Sequence, residues 1–105
     1  MEVRVDKYLF AMRIYKTRSI ATDACKCGRV KMNGVELKPS RVFHVGDIFT
    51  VRKGPITHIY RILQLSENRL GAKMVPNYME DITPPEQLEI LELARYAVQS
   101  GRDRG

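Results

Sequence analysis

The residues best placed to do chemistry in this chain are cations gathered around one short stretch. From Lys16 to Gly34 it reads KTRSIATDACKCGRVKMNG, with Lys16 and Arg18 at the entrance and Lys26, Arg29 and Lys31 at the exit. Thr17 and Ser19 are cap-type residues, so a helix starting there would offer free backbone N–H groups beside positive side chains. That combination suits the seating of phosphate groups, and it concentrates more positive charge than folding requires. Covalent chemistry has no comparable set. His44 and His58 lack the neighbouring Ser or Cys arrangement that would make a nucleophile and its base. Cys25 and Cys27, two apart on a helix, point about 200° from one another, which suits neither a shared metal nor a disulfide. The glycines at 28, 34, 46, 54, 71, 101 and 105 are isolated and fit caps and turns rather than a phosphate loop. The expectation is a binding protein that uses no metal and no cofactor and is not an enzyme.

Positioning those cations is the task of the elements around them. Residues 4–15, RVDKYLFAMRIY, carry Val5, Tyr8, Leu9 and Met12 at helical spacing and predict a first helix with that stripe in the core. Tyr8 and Tyr15 are assigned to the core rather than to base stacking, and Phe10 and Ile14 to a second apolar side. Arg4, Lys7 and Arg13 fall outside the stripe. A second helix over 18–27 offers Ala21, Ala24 and Cys25 for close packing and stops at Gly28. Helices this short depend on tertiary contacts. Val30 and Met32 then alternate with Arg29 and Lys31 into Asn33-Gly34, a two-residue hairpin turn that needs positive φ at both positions. Val35 and Leu37 return, Lys38-Pro39-Ser40-Arg41 forms a basic loop, and Val42 and Val45 lead to a turn at Gly46-Asp47. Ile48 to Val51 and Ile59 to Leu63 predict two strands, the first ended by Arg52-Lys53-Gly54-Pro55. Sheet twist is expected to bring the loops Lys38–Arg41 and Arg52–Lys53 to one rim. Residues 70–82 are poorly periodic, interrupted by Pro76 and Asn77, and predict a short strand or extended connection. Thr83-Pro84-Pro85-Glu86 signals a C-terminal helix capped by Thr83, with Leu88, Leu91 and Tyr96 on its apolar face.

The resulting fold class is α+β: two short N-terminal helices packed on a small, mostly antiparallel sheet, with an additional C-terminal helix. At 105 residues the chain suits one compact domain, with 1–53 as the basic unit and 54–105 as a strand and helix extension packed on it. The composition is 44% hydrophobic and 29% charged, which is globular. No apolar run approaches the roughly 20 residues of a membrane helix, and MEVRVDKYLF lacks a secretory apolar region. A cytoplasmic location without membrane contact is expected. The net charge is +6, and residues 1–53 hold 12 Lys/Arg against 5 Asp/Glu, while 54–105 hold 6 against 7. The excess therefore lies entirely in the first half, around the helix and hairpin, where it points to a polyanion partner.

These residues also carry a resemblance. Arg4-x-Asp6-Lys7-x-Leu9, Lys16-Thr17-Arg18-Ser19-x-Ala21, Gly28-x-Val30-x-x-Asn33-Gly34 and Val45-Gly46-Asp47 resemble the alpha-L RNA-binding motif, the domain type named after ribosomal protein S-four, over about residues 4–53. Ser66-x-x-Arg69-x-x-Ala72, Tyr78 and the Thr-Pro-Pro-Glu helix then resemble the family of small ribosome-associated heat-shock proteins. Two departures are visible: Leu70 stands where a glycine is expected after Arg69, and Arg102-Asp103-Arg104-Gly105 stands where many relatives carry a longer basic tail. The resemblance implies ribosome quality control. The partner would be a free large ribosomal subunit still carrying peptidyl-tRNA, with contacts to ribosomal RNA extending to tRNA, and the chain a monomer off the ribosome. The expected RNA-binding residues are Arg4, Lys7, Lys16, Thr17, Arg18, Ser19, Lys26, Arg29, Lys31, Asn33, Lys38, Ser40 and Arg41. Two other classes stay open: a protein-interaction or regulatory module using the C-terminal apolar helix, and an accessory RNA-binding domain of an RNA-modifying system.

Overall fold

In a computed structural model, which describes residues 2–87 and 89, the first helix is shorter than its apolar stripe. Helix α1 spans Val5–Ala11 and buries Val5, Tyr8 and Leu9 as predicted, but it does not run on to Tyr15. Arg13 turns into the left-handed region at φ 62. Its N–H donates to the Phe10 carbonyl at 3.1 Å, and the Ile14 N–H donates to the Leu9 carbonyl at 3.0 Å, the pair of bonds that closes a helix end. The cause is tertiary. The Leu70 N–H donates to the Ala11 carbonyl at 3.0 Å, and the Arg13 guanidinium donates to the Leu70 carbonyl at 3.3 Å. A distant segment thus caps the helix where periodicity alone would continue it. Met12, Ile14 and Tyr15 remain buried beyond the cap.

Helix α2 spans Arg18–Lys26, with Thr17 as its N-cap accepting the Ile20 N–H at 3.1 Å. It buries Ala21, Ala24 and Cys25 and ends at Gly28, whose φ of +74° suits a residue without Cβ. The hairpin follows at once. Strands β2 (Val30–Met32) and β3 (Val35–Glu36) are joined by Asn33 at φ 55 and Gly34 at φ 77, the mirror-image turn that the sequence predicts. A Cβ at Gly34 would meet nothing within 4 Å, so the cost of Gly34→Ala is backbone strain alone. We expect that substitution to lower the unfolding free energy by about 1 kcal/mol, measured from the urea midpoint.

Strands β5 (Ile48–Lys53) and β6 (Ile56–Ile62) make the long central hairpin. Arg52 and Lys53 are therefore strand residues, because Gly54-Pro55 alone closes the turn that pairs Lys53 with Ile56. The five-stranded sheet runs β3-β2-β5-β6-β7, every ladder antiparallel, with β7 at Met79–Asp81. A separate two-stranded ribbon pairs β1 (Val3–Arg4) with β4 (Val42–Phe43). Residues 70–82 are only partly extended: α3 (Val75–Tyr78) is one helical turn that holds Pro76 at its start, where its missing N–H is harmless. Residues 85–87 and 89 are helical, so the C-terminal helix begins slightly later than predicted, and Leu88, Leu91 and Tyr96 of its expected apolar face lie outside the described residues. The Thr83 hydroxyl is drawn to the sheet instead of capping that helix, accepting the Ile59 N–H at 3.1 Å. Gln87 does likewise, its Oε1 accepting the Thr57 N–H at 2.9 Å. Side chains thereby finish the edge of β6 where β7 has ended.

Tyr8 joins helix to sheet. Its ring meets Phe43 and Phe49 edge-on at 5.6 and 6.2 Å, and its hydroxyl donates to the carbonyls of Gln64 (3.2 Å) and Tyr78 (3.1 Å). Burial pushes the Tyr8 hydroxyl upward and the Tyr60 hydroxyl to about 12. It also pushes the Cys25 thiol to about 11, with the Asp6 charge adding to the effect. The unfolded chain gives up these protons at lower pH and binds fewer of them than the folded chain. Stability should therefore fall as pH rises through about 9 to 11. A urea midpoint clearly lower at about pH 10.5 than at about pH 8 is the expected result.

Candidate nucleic-acid interface

The charged unit is organised around a carboxylate. Asp6, in the first turn of α1, is only 2% exposed, yet four groups converge on it. Arg4 donates from Nε and Nη2 to the two carboxylate oxygens, each at 3.2 Å. The Arg18 Nε lies 3.6 Å from Oδ2, Thr22 donates its hydroxyl to the same oxygen at 3.2 Å, and the Lys7 N–H donates to Oδ1 at 2.8 Å. One buried acid thus fixes two arginines from different elements. The side chains of Arg4 and Arg18 remain 47% and 44% exposed, so their outward N–H groups face solvent while their inner ones hold Asp6. Two guanidiniums against one carboxylate leave the cluster positive. Arginine oriented in this way suits phosphate, whose oxygens match its forked donors.

The basic loop lies against the same end of α1. The Arg41 carbonyl accepts the Val5 N–H at 2.7 Å and the Pro39 carbonyl accepts the Asp6 N–H at 3.3 Å. Lys38, Ser40 and Arg41 then line a concavity of about 480 Å³ with Glu36 and Val42. Lys7 sits on α1 beside Asp6 and is half-buried. Lys16, Thr17 and Ser19 are exposed at the start of α2, where the cap satisfies Ile20 and no hydrogen bond from the N–H groups of Arg18 or Ser19 is formed among the described residues. The Lys16 carbonyl accepts from the Arg69 guanidinium, which also lies 4.7 Å above the Phe10 ring, so Arg69 fastens the connection between the helices. Among the described residues, Lys7, Lys16, Lys26, Arg29, Lys31, Lys38 and Arg41 form no ion pair.

The thirteen expected residues do not make one patch. Arg4, Lys7, Arg18, Lys38, Ser40 and Arg41 gather near Asp6, with Lys16, Thr17 and Ser19 beside Arg18. Lys26, Arg29 and Lys31 follow the other end of α2, and Asn33 stands at the hairpin tip, where its turn conformation accounts for it. Nor do the loops Lys38–Arg41 and Arg52–Lys53 share a rim. The first closes on the start of α1, whereas the Arg52 N–H bonds the Arg29 carbonyl at 2.8 Å and Lys53 Nζ reaches the Ile14 carbonyl beyond the helix end. Lys53 also lies 5.0 Å above the Tyr15 ring, and its burial lowers its pKa. Although Lys53 is an exposed residue, its ammonium is engaged by these contacts within the chain. Asp6 and Thr22 are missing from the expected set, although an acid within a basic pattern at a helix start is a visible signal for Asp6.

The family model described as S4 domain matches residues 3–49, the stretch that holds this helix pair, the hairpin and the buried acid, so the chain is an S4-domain protein. The chain belongs to the heat shock protein 15 family. It is similar to the trimeric structure of Vibrio cholerae Heat Shock Protein 15, with 33% identity and a TM-score of 0.74 over 94% of this chain and 96% of that one. The Heat shock protein 15 homolog of Aeromonas salmonicida is 39% identical over 80 residues, which are 76% of this chain and 61% of the relative. The chain thus spans less than two thirds of that relative's length. The RQC P-site tRNA stabilizing factor of Listeria innocua is 38% identical over 66 residues, 63% of this chain and 72% of the relative.

Proposed function

We propose that this chain binds structured RNA of the large ribosomal subunit and acts on stalled subunits that still carry peptidyl-tRNA. The observation that carries this reading is the Asp6 cluster, which holds Arg4 and Arg18 with their outward donors exposed. Such a surface recognises the shape and phosphate spacing of a folded junction, because the deep groove of A-form RNA does not admit side chains. The name of the Listeria relative supports the tRNA-bearing subunit as the target. In this reading the chain works by binding and not by catalysis; burial raises the Cys25 thiol to about 11, so that group is not poised as a nucleophile at neutral pH. No helix among the described residues is long and apolar enough to cross a membrane, and a cytoplasmic site of action follows from a ribosomal partner.

The test is sedimentation of a lysate through a sucrose gradient, with and without induced stalling. The protein should move with free large subunits and increase there on stalling; its staying at the top of the gradient in both conditions would overturn the reading. Off the ribosome we propose a monomer. Light scattering of the purified chain decides this directly, with the trimer of the Vibrio structure as the contrary outcome.

A further inference from the structure

The sheet has a face that the Asp6 cluster does not use. Val30 and Val51 are register partners and are fully buried towards the helices, so Arg29, Lys31, Thr50 and Arg52 emerge on the opposite side. The hydrogen bond from the Arg52 N–H to the Arg29 carbonyl sets these two arginines side by side, and Lys31 pairs in register with Thr50. Thr57 is the partner of Arg52 on β6. Together they line two adjoining concavities of about 500 and 410 Å³ that share Gly28, Arg29 and Arg52. Like charges on neighbouring strands oppose pairing, yet none of these three cations forms an ion pair among the described residues. Glu36, opposite Lys31, turns its carboxylate against Gly28 instead.

We propose that this outer face of β2 and β5 is a second phosphate-binding surface, on which Arg29, Lys31 and Arg52 hold the backbone of an RNA segment distinct from the one held around Asp6. The proposal rests on the RNA-binding reading above. Its lining favours a phosphate backbone over a protein partner: three cations and two threonines outweigh the one carboxylate, Glu36, that lies against Gly28, and the lining residues lack the apolar centre that protein interfaces bury. Arg52 is the discriminating residue, since it lies outside the segment matched by the S4-domain model and, like Lys31, faces away from the helices.

The experiment uses the full chain and a folded fragment of large-subunit ribosomal RNA, with affinity followed by fluorescence anisotropy across a salt series. Arg52→Gln should weaken binding several-fold and lower the slope of log affinity against log salt by about 0.7 to 0.9, the value for one lost phosphate contact. Arg52→Lys should restore the slope. The urea midpoint of Arg52→Gln should equal or exceed that of the unmodified chain, because repulsion with Arg29 is relieved; a lowered midpoint would assign Arg52 to folding and overturn the proposal. If Arg18→Gln reduces affinity and slope while Arg52→Gln changes neither, the second surface is wrong and the RNA reading stands. If neither variant has an effect, both fail.

Discussion

Asp6→Ala is expected to lower the unfolding free energy by about 2 to 3 kcal/mol and to weaken RNA binding at the same time. The carboxylate is almost fully buried and receives bonds from Arg4, Thr22 and the Lys7 N–H, with Arg18 3.6 Å away. Its removal strands the Lys7 N–H without a partner, whereas the Thr22 hydroxyl keeps the Arg18 carbonyl as an acceptor at 3.0 Å. The cost stays below that of breaking a fully buried pair, because both guanidiniums are nearly half exposed and water can solvate them. Freed of their anchor, the two arginines regain rotamer freedom that must be lost again on binding, which lowers affinity although positive charge has been gained. That direction is diagnostic. A surface that acted only through net charge would bind more tightly after loss of an acid. Asp6→Asn separates the contributions: an amide oxygen keeps one acceptor for Lys7 or Thr22, while its NH₂ opposes a guanidinium. We expect it to lose about half the stability and most of the orienting effect, read from urea midpoints and anisotropy titrations.

Arg18→Glu should reduce RNA affinity about tenfold or more at moderate salt and lower the salt slope by about one counterion. Geometry makes reversal worse than neutralisation. A glutamate at this position would stand beside the buried Asp6 carboxylate, so the variant repels the phosphate and its own anchor together. Arg18→Gln removes the charge without that repulsion and should show a smaller affinity loss with nearly the same change in slope. Affinity that does not vary across the salt series between Arg18→Glu and the unmodified chain would remove Arg18 from the interface.

What the sequence made legible was local. The Val5, Tyr8 and Leu9 stripe, the Thr17 cap, the Gly28 stop and the Asn33-Gly34 turn each announce themselves within a few residues, and each is where it was expected. The misreadings involve partners remote in the chain. Helix α1 ends at Ala11 because Arg13 and Leu70, 57 residues apart, meet there. Arg52 reads as a loop cation next to glycine and proline, but Gly54-Pro55 suffices for the turn and extends β5 by two residues. The pleat then assigns Arg52 and its neighbours to an outward face that charge counting does not distinguish from the helix side. Thr83 has the appearance of a helix cap, yet the open edge of β6 claims its hydroxyl. The candidate cations stand out by type and density, and Asp6 by its place among them, whereas the convergence of Arg4, Arg18 and Thr22 on that acid shows only in three dimensions.

The hydroxyl of Thr83 and the amide oxygen of Gln87, occupying the N–H groups of Ile59 and Thr57, have a colloidal consequence. A bare margin there would template an extended segment from another molecule, the first step towards fibrillar growth. The opposite margin, β3, is only two residues long and offers little purchase. With that stretch of β6 occupied and β3 so short, these two margins give crowded copies of the folded chain little backbone to pair through, and an assembly formed there would have to be built from side chains.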